Sequence, residues 1–451
     1  MTHDARRLPP GPRGHWLLGN LPERRADPLG FFTRGREQYG DVVRYRMGPF
    51  ELYQVSHPDD VKRVLVDNAR NCQKTRLMQR LGPVLGHGLL LSEGDFWKRQ
   101  RRLAQPAFHR ERLAGLATAI TGLVESALQR WGPLADSGEP FDLAAELTRL
   151  TLAITGRVLF STDLSDAASE VGLAVTAAIE ESNRRALAVL PLPLALPLPS
   201  HRRFRSALRV LDRLVFDIIR QRREGHPRAE DVLSLLMETR DADTGEGMSD
   251  AQLRDEVMTL VLAGHETTAN ALAWTFFLLQ QHPEAEARLV HEVSSVLGDR
   301  VPGFEDLPRL RYTARVLDEA LRLYPPAWLL SRTALAEDEL GGYAIPKGAI
   351  IAPLPYVLHR HPALWESPEV FDPDRFLPER SGSRPRFAYL PFGGGQRQCI
   401  GTGLALMEGQ LALAMVARRF RFRLVPGHRV EPQALVTLRP RYGLRVTASR
   451  C

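Results

Sequence analysis

Apolar and polar positions change period along this chain, and the changes divide it. From about residue 57 to 324 apolar residues recur at helical spacing, which predicts a succession of amphipathic and buried helices. Proline is expected to punctuate them at Pro106, Pro133, Pro227 and Pro283. Ahead of this stretch, residues 42–55 alternate well enough for a hairpin with Gly48-Pro49 at its turn. Strand-like pieces return at 342–351 and 421–425, and a last pair, 434–438 and 444–447, reads as a closing hairpin. A second helical stretch occupies about 400–419, and no internal repeat is visible. The fold class predicted is mainly α with a small β region. It is one large helix-rich domain over 1–451, with its core at about 57–324 and 400–419 and its β region at about 42–55, 342–351 and 421–447.

One helix stands out. Ser249-Asp250-Ala251-Gln252 has the form of a capping box, and the helical pattern runs on to Gln281 before His282-Pro283. About 32 residues at 1.5 Å rise make roughly 48 Å, so this helix must cross the molecule. Its middle, Ala263-Gly264-His265-Glu266-Thr267-Thr268, sets polar residues in an otherwise apolar helix. Buried polar groups cost stability unless they have partners or a task. His265-Glu266 does not begin a His-Glu-x-x-His zinc site, because Ala269 stands where the second histidine belongs. The His265 imidazole is expected to titrate near neutrality.

Composition narrows the function. The 451 residues are 44% hydrophobic and 25% charged, as in a globular protein, with a net charge of +7. The basic residues are dispersed and no finger or aromatic-interleaved basic stripe appears, which argues against nucleic-acid binding. Cys72, Cys399 and Cys451 form no disulfide framework, and no signal peptide or apolar stretch of spanning length is present. The expectation is a cytoplasmic protein without a transmembrane anchor.

The candidate chemistry lies in Phe392-Gly393-Gly394-Gly395-Gln396-Arg397-Gln398-Cys399-Ile400-Gly401. A cysteine in a glycine-rich loop just ahead of a helix suits a metal-bound thiolate: glycines permit close approach, and backbone N–H groups and the helix start favour negative charge. The stretch resembles the haem-ligand signature of the cytochrome P-450 family, Phe-x-x-Gly-x-Arg-x-Cys-x-Gly. Five such positions would coincide in on the order of 10⁻⁴ of chains this long, which sets aside a merely structural cysteine in a turn.

The resemblance implies haem b (iron-protoporphyrin IX), its iron axially ligated by Cys399, with Phe392 and Gly401 beside the ligand. The polar cluster of the long helix matches the family's oxygen-activating motif. There Ala263 and Gly264 leave room above the haem, Thr267 bonds bound dioxygen, and Glu266 relays protons. Trp97-Lys98-Arg99-Gln100-Arg101 resembles the family's Trp-x-x-x-Arg; Trp97, Arg101, Arg332 and Arg397 are then expected at the haem propionates. Glu319-Ala320-Leu321-Arg322 resembles Glu-x-x-Arg, which with Arg375 forms a structural network, half-buried beside an apolar stripe.

Expected pocket residues are Leu85, Leu89, Val261, Trp328, Leu329 and Leu330, with a very apolar linker at 187–197. Such a lining suits a lipophilic, terpene-like substrate held by apolar burial. Arg76, Arg80, Arg184 and Arg185 keep a carboxylate anchor, and so a fatty-acid hydroxylase, open. The implied activity is insertion of one atom of dioxygen into a C–H or C=C bond. Electrons come from a separate ferredoxin or flavodoxin with its reductase, because no flavin or iron–sulfur motif is present. Lys98, Arg99 and Arg102 form the basic face to which such a donor would dock. A peroxide-driven enzyme and a haem-thiolate sensor or carrier are the alternatives.

Overall fold

The computed structural model describes residues 7–162, 164, 168–188, 192–224, 231–240 and 245–451. Val189, Leu190 and Pro191 of the apolar linker, and Pro227, lie outside them. Helices dominate from 94 to 323, as the periodicity predicts. The longest is Asp250–Gln281, closed at its start by the Ser249/Gln252 capping box in both directions. Twenty of its residues are buried, because it runs through the main core rather than over it. That core is built around this helix together with Arg110–Ser137, Leu143–Phe160, Pro199–Arg223, Arg311–Leu323 and Thr402–Arg419.

The β region gathers both halves of the chain. Val42–Met47 and Phe50–Val55 pair as the predicted hairpin, with Met47 opposite Phe50 and Gly48 at φ +61°. Phe50–Val55 then pairs in parallel with Ile350–Pro353, which is followed in the sheet by Arg332–Ala334 and Cys72–Gln73. Two smaller cores sit on this sheet.

Two expectations fail. Pro133 does not end its helix, which runs from Arg110 through it to Ser137 and stops at Gly138, φ +69°. Nor do 434–438 and 444–447 form a hairpin. Pro432–Ala434 pairs with Leu438–Pro440 across a three-residue turn, and Arg445–Arg450 pairs with Phe420–Leu424 and with Phe141–Asp142. Alternation reveals that a segment is a strand but not its partner; here long-range burial of Phe422, Leu444 and Val446 chooses it.

Candidate active site

Gly395 has φ +67°, and a Cβ there would lie 2.0 Å from the Leu65 carbonyl oxygen, so any side chain would lift the loop off the segment it rests on. The loop then turns through Gln398 N–H to Gly395 O at 3.1 Å, and Cys399 N–H closes it onto Phe392 O at 3.0 Å. Arg101 Nη1 donates to Gln398 O at 2.8 Å. Burial pushes the Cys399 thiol up. The Gly401 backbone N–H, the Thr402 hydroxyl and Arg101 oppose this, and burial wins. Cys399 nonetheless keeps accessible surface although protein encloses it, which places it on the wall of an interior space.

The Thr402–Arg419 helix follows directly. Its Gly403 is explained by packing, since a Cβ there would stand 2.9 Å from Leu113 Cδ1.

The middle of the long helix shows the same signature of an interior wall: Ala263 is exposed although the residues around it are buried or half-buried. Gly264 also has a packing role. Its missing Cβ would sit 3.1 Å from Thr155 Oγ1, so the glycine lets the helix pack closely on Leu143–Phe160. Thr267 Oγ1 donates to Ala263 O at 2.7 Å. Glu266 is pushed up by burial and held down by the Thr437 hydroxyl, which donates to Oε1 at 2.7 Å. His265 is shifted downward from the titration expected near neutrality. It is buried, its Nδ1 lies 2.6 Å from Val261 O, and burial pushes it below its ordinary value.

Trp97, Arg101, Arg332 and Arg397 come from three separated segments, and the structure adds Lys74. The Arg397 guanidinium stacks on the Trp97 ring, 3.8 Å from its centre, and pairs with Glu93 while bonding Ser92 O. Arg332 is buried, and its Nη1 donates to the neighbouring Ser331 carbonyl at 2.8 Å. Lys74 is pushed down to about 7 by burial, then by Arg332 and Arg397. Around this site Lys74, Arg332 and Arg397 share one carboxylate, Glu93, and Arg101 adds a further cation near Arg397. Uncompensated buried cations are expensive, so the cluster fits a ligand with two negative charges, set beside an accessible cysteine. Lys74 is one of four lysines in an arginine-rich chain, a signal too faint to single it out.

Below the loop, Glu319 and Arg322 are fully buried rather than half-buried. Arg322 Nε and Nη2 grip both Glu319 oxygens at 2.7 and 2.8 Å, and Arg375 Nε reaches Oε1 at 3.2 Å. His359, missed in the sequence, accepts Leu390 N–H on Nε2 at 2.8 Å and bonds Arg322 O through Nδ1 at 3.2 Å. It ties this network to the strand of chain entering the cysteine loop.

The expected pocket residues do not all converge. Trp328 is buried in the N-terminal sheet core, its indole donating to Leu435 O at 2.8 Å, and Leu329 packs on the same core. Val261 and Leu85 are buried in the helical core. Leu89 is half-buried with its N–H on Glu256 at 3.0 Å, and Leu330 lies against the cysteine loop near Gly393. Helical and extended side chains alternate in direction, and proximity in sequence to the site does not fix which way each points. The basic face also changes: Lys98 pairs with Asp95, and Arg99 turns to the carbonyls of Glu246 and Gly247.

Comparison with known proteins places this geometry. The family model described as cytochrome P450 matches residues 9–446. Cyclooctatin synthase of Streptomyces melanosporofaciens is 42% identical, covering 95% of this chain and 92% of its own. Cyclooctat-9-en-7-ol 5-monooxygenase of the same organism is 38% identical (91% and 88% covered), and pentalenene oxygenase of Streptomyces avermitilis 35% (96% and 95%). The crystal structure of the cytochrome P450DA heme domain superposes with a TM-score of 0.90 at 28% identity, covering 99% of this chain and 98% of that one.

Proposed function

The chain belongs to the cytochrome P450 family, and we propose that it inserts one atom of dioxygen into a C–H or C=C bond of a terpene-like molecule. Membership implies a haem b held by a cysteine thiolate. We assign that ligand to Cys399. Bound there, the thiolate-ligated haem supplies dioxygen activation and O–O cleavage.

The protein's own residues do the rest. Lys74, Arg101, Arg332 and Arg397 neutralise the two propionates, and Trp97 holds Arg397 in place. The Gly401 N–H and Thr402 hydroxyl favour negative charge on Cys399 Sγ, offsetting part of the burial penalty. Phe392, at the start of the loop, packs against the helical core, and we assign it the task of limiting water at the sulfur. On the long helix Glu266 takes up and releases protons, and Thr267 offers its hydroxyl where the accessible Ala263 leaves room. Electrons come from a separate ferredoxin or flavodoxin with its reductase.

The carrying observation is the acid–alcohol pair Glu266-Thr267 close to Ala263, an exposed residue in the middle of a largely buried helix. It supports dioxygen chemistry over a peroxide-driven or carrier role. Terpene-like substrates are favoured by relatives named for cyclooctat-9-en-7-ol and pentalenene, and by three of the four candidate arginines. Arg80 bonds the carbonyls of Arg185 and Ala188, Arg184 pairs with Glu181, and Arg185 bonds Leu192 O. They are engaged, and a fatty-acid carboxylate would have to displace those bonds.

Titration of the ferric protein against terpene and fatty-acid panels, followed by turnover with ferredoxin, reductase and dioxygen, tests this. Spectral shifts and oxygenated products with terpenes support it. Products from fatty acids alone would shift the assignment to a fatty-acid hydroxylase.

A further inference from the structure

The carboxyl of Glu266 is not held by its own helix. Its partner is Thr437, in the turn between Pro432–Ala434 and Leu438–Pro440, 171 residues away in the chain. Asn270, one helical turn beyond Glu266, donates Nδ2–H to Thr437 Oγ1 at 3.3 Å. A threonine hydroxyl has one proton. With Asn270 occupying its acceptor side, that proton is aimed at Glu266 Oε1. Both Thr437 and Asn270 are buried, so water does not compete for the bond.

The turn itself is fastened at several points. Trp274 Nε1 donates to Leu438 O at 3.1 Å, Trp328 Nε1 to Leu435 O at 2.8 Å, and Leu438 N–H to Pro326 O at 3.0 Å. Val436, beside Thr437, is 40% exposed. The remaining charges near Glu266 are few. Arg439, on the strand after the turn, acts at longer range while itself bonding Gln433 and Glu180. His265, its neighbour in the helix, is held towards its neutral form by burial.

We propose that Thr437 is a positioning residue for Glu266: this turn, rather than the long helix alone, fixes where the carboxyl sits and how readily it takes up a proton for delivery towards Thr267. The physical basis is that a hydroxyl donating to a carboxylate favours the ionised form and opposes burial. Removing the donor leaves burial opposed by Arg439 alone, at longer range, and the carboxyl holds its proton over a wider pH range. This role in proton supply rests on the monooxygenase reading above; the hydrogen-bond effect on Glu266 does not.

The test is an infrared titration of the ferric, substrate-free holoprotein, following the carboxyl band that Glu266→Gln removes. Thr437→Val keeps the shape and removes the hydroxyl, whereas Thr437→Ser keeps the hydroxyl. The midpoint is expected to rise by about one pH unit in Thr437→Val, ~tenfold in proton affinity, and to stay near the parent value in Thr437→Ser. In turnover, the pH at which peroxide begins to leak should move with that midpoint. An unmoved midpoint in Thr437→Val, an equal rise in Thr437→Ser, or a peroxide profile that ignores the midpoint would each overturn the proposal. If Thr437→Val holds no haem, Asn270→Ala is titrated in its place and must raise the midpoint in the same sense. Failure of the monooxygenase reading would show separately, as a shifted midpoint in a protein that forms no dioxygen-dependent product.

Discussion

Cys399 and Lys74 are both ionisable groups that burial holds towards their neutral forms, and both are relieved by a bound partner of opposite charge. Cys399→Ala is expected to abolish the red-shifted carbon monoxide band of the reduced protein; a variant keeping that band would exclude Cys399 as the ligand. Lys74→Met should weaken hemin uptake by the apoprotein, since one charge-assisted contact is worth about 1.5–3 kcal/mol, and a hemin titration measures it. In the haem-free protein the Lys74 value near 7 lies below its ordinary 10.5. Between those pH values the unfolded chain binds more protons, so apoprotein stability should rise across that window, and Lys74→Met should flatten the rise. Thr267→Ala is expected to leave the substrate-induced spectral shift intact while diverting electrons to peroxide; unchanged coupling of electrons to product would remove Thr267 from the dioxygen site.

Among the elements, the Arg311–Leu323 helix and the cysteine loop depend most on single contacts. Arg322→Leu leaves Glu319 as a buried carboxylate with Arg375 as its remaining side-chain partner. Breaking a buried pair costs roughly 3–5 kcal/mol, so the variant should yield little folded holoprotein, read by urea unfolding and by haem content; normal incorporation would contradict the structural assignment. The pair was legible as a motif, but its depth was not. An i,i+3 ion pair looks the same in sequence on a solvated face and in a core. The same holds for Gly264, whose spacing marks the dioxygen motif while the neighbour that requires glycine, Thr155, belongs to another helix.

For the whole molecule, acid sensitivity follows from His359. Burial first, then Arg322, pushes it down to about 3, while Leu390 N–H needs its Nε2 unprotonated. Below the ordinary value of 6.5 the unfolded chain therefore binds a proton that the folded one refuses. The stability contributed by His359 is full above about 6.5 and is lost as pH falls towards 3, with a slope of up to about 1.4 kcal/mol per pH unit. Denaturant unfolding between pH 6.5 and 4 should show that slope, and His359→Gln should reduce it. Among the described residues no helix is long and apolar enough to cross a membrane.

What the sequence determined by itself is whatever short-range physics settles. Helical period, the Ser249/Gln252 cap, the Gly48 turn and the spacing of the cysteine loop are all read within a few residues, and each stands in the structure as expected. Only the tertiary structure decided which distant groups meet. Lys74, Arg332 and Arg397 converge, Thr437 reaches Glu266, and Trp328 turns into the sheet core. Those meetings depend on how buried charge and apolar surface are balanced across the whole core, and no local period carries that balance.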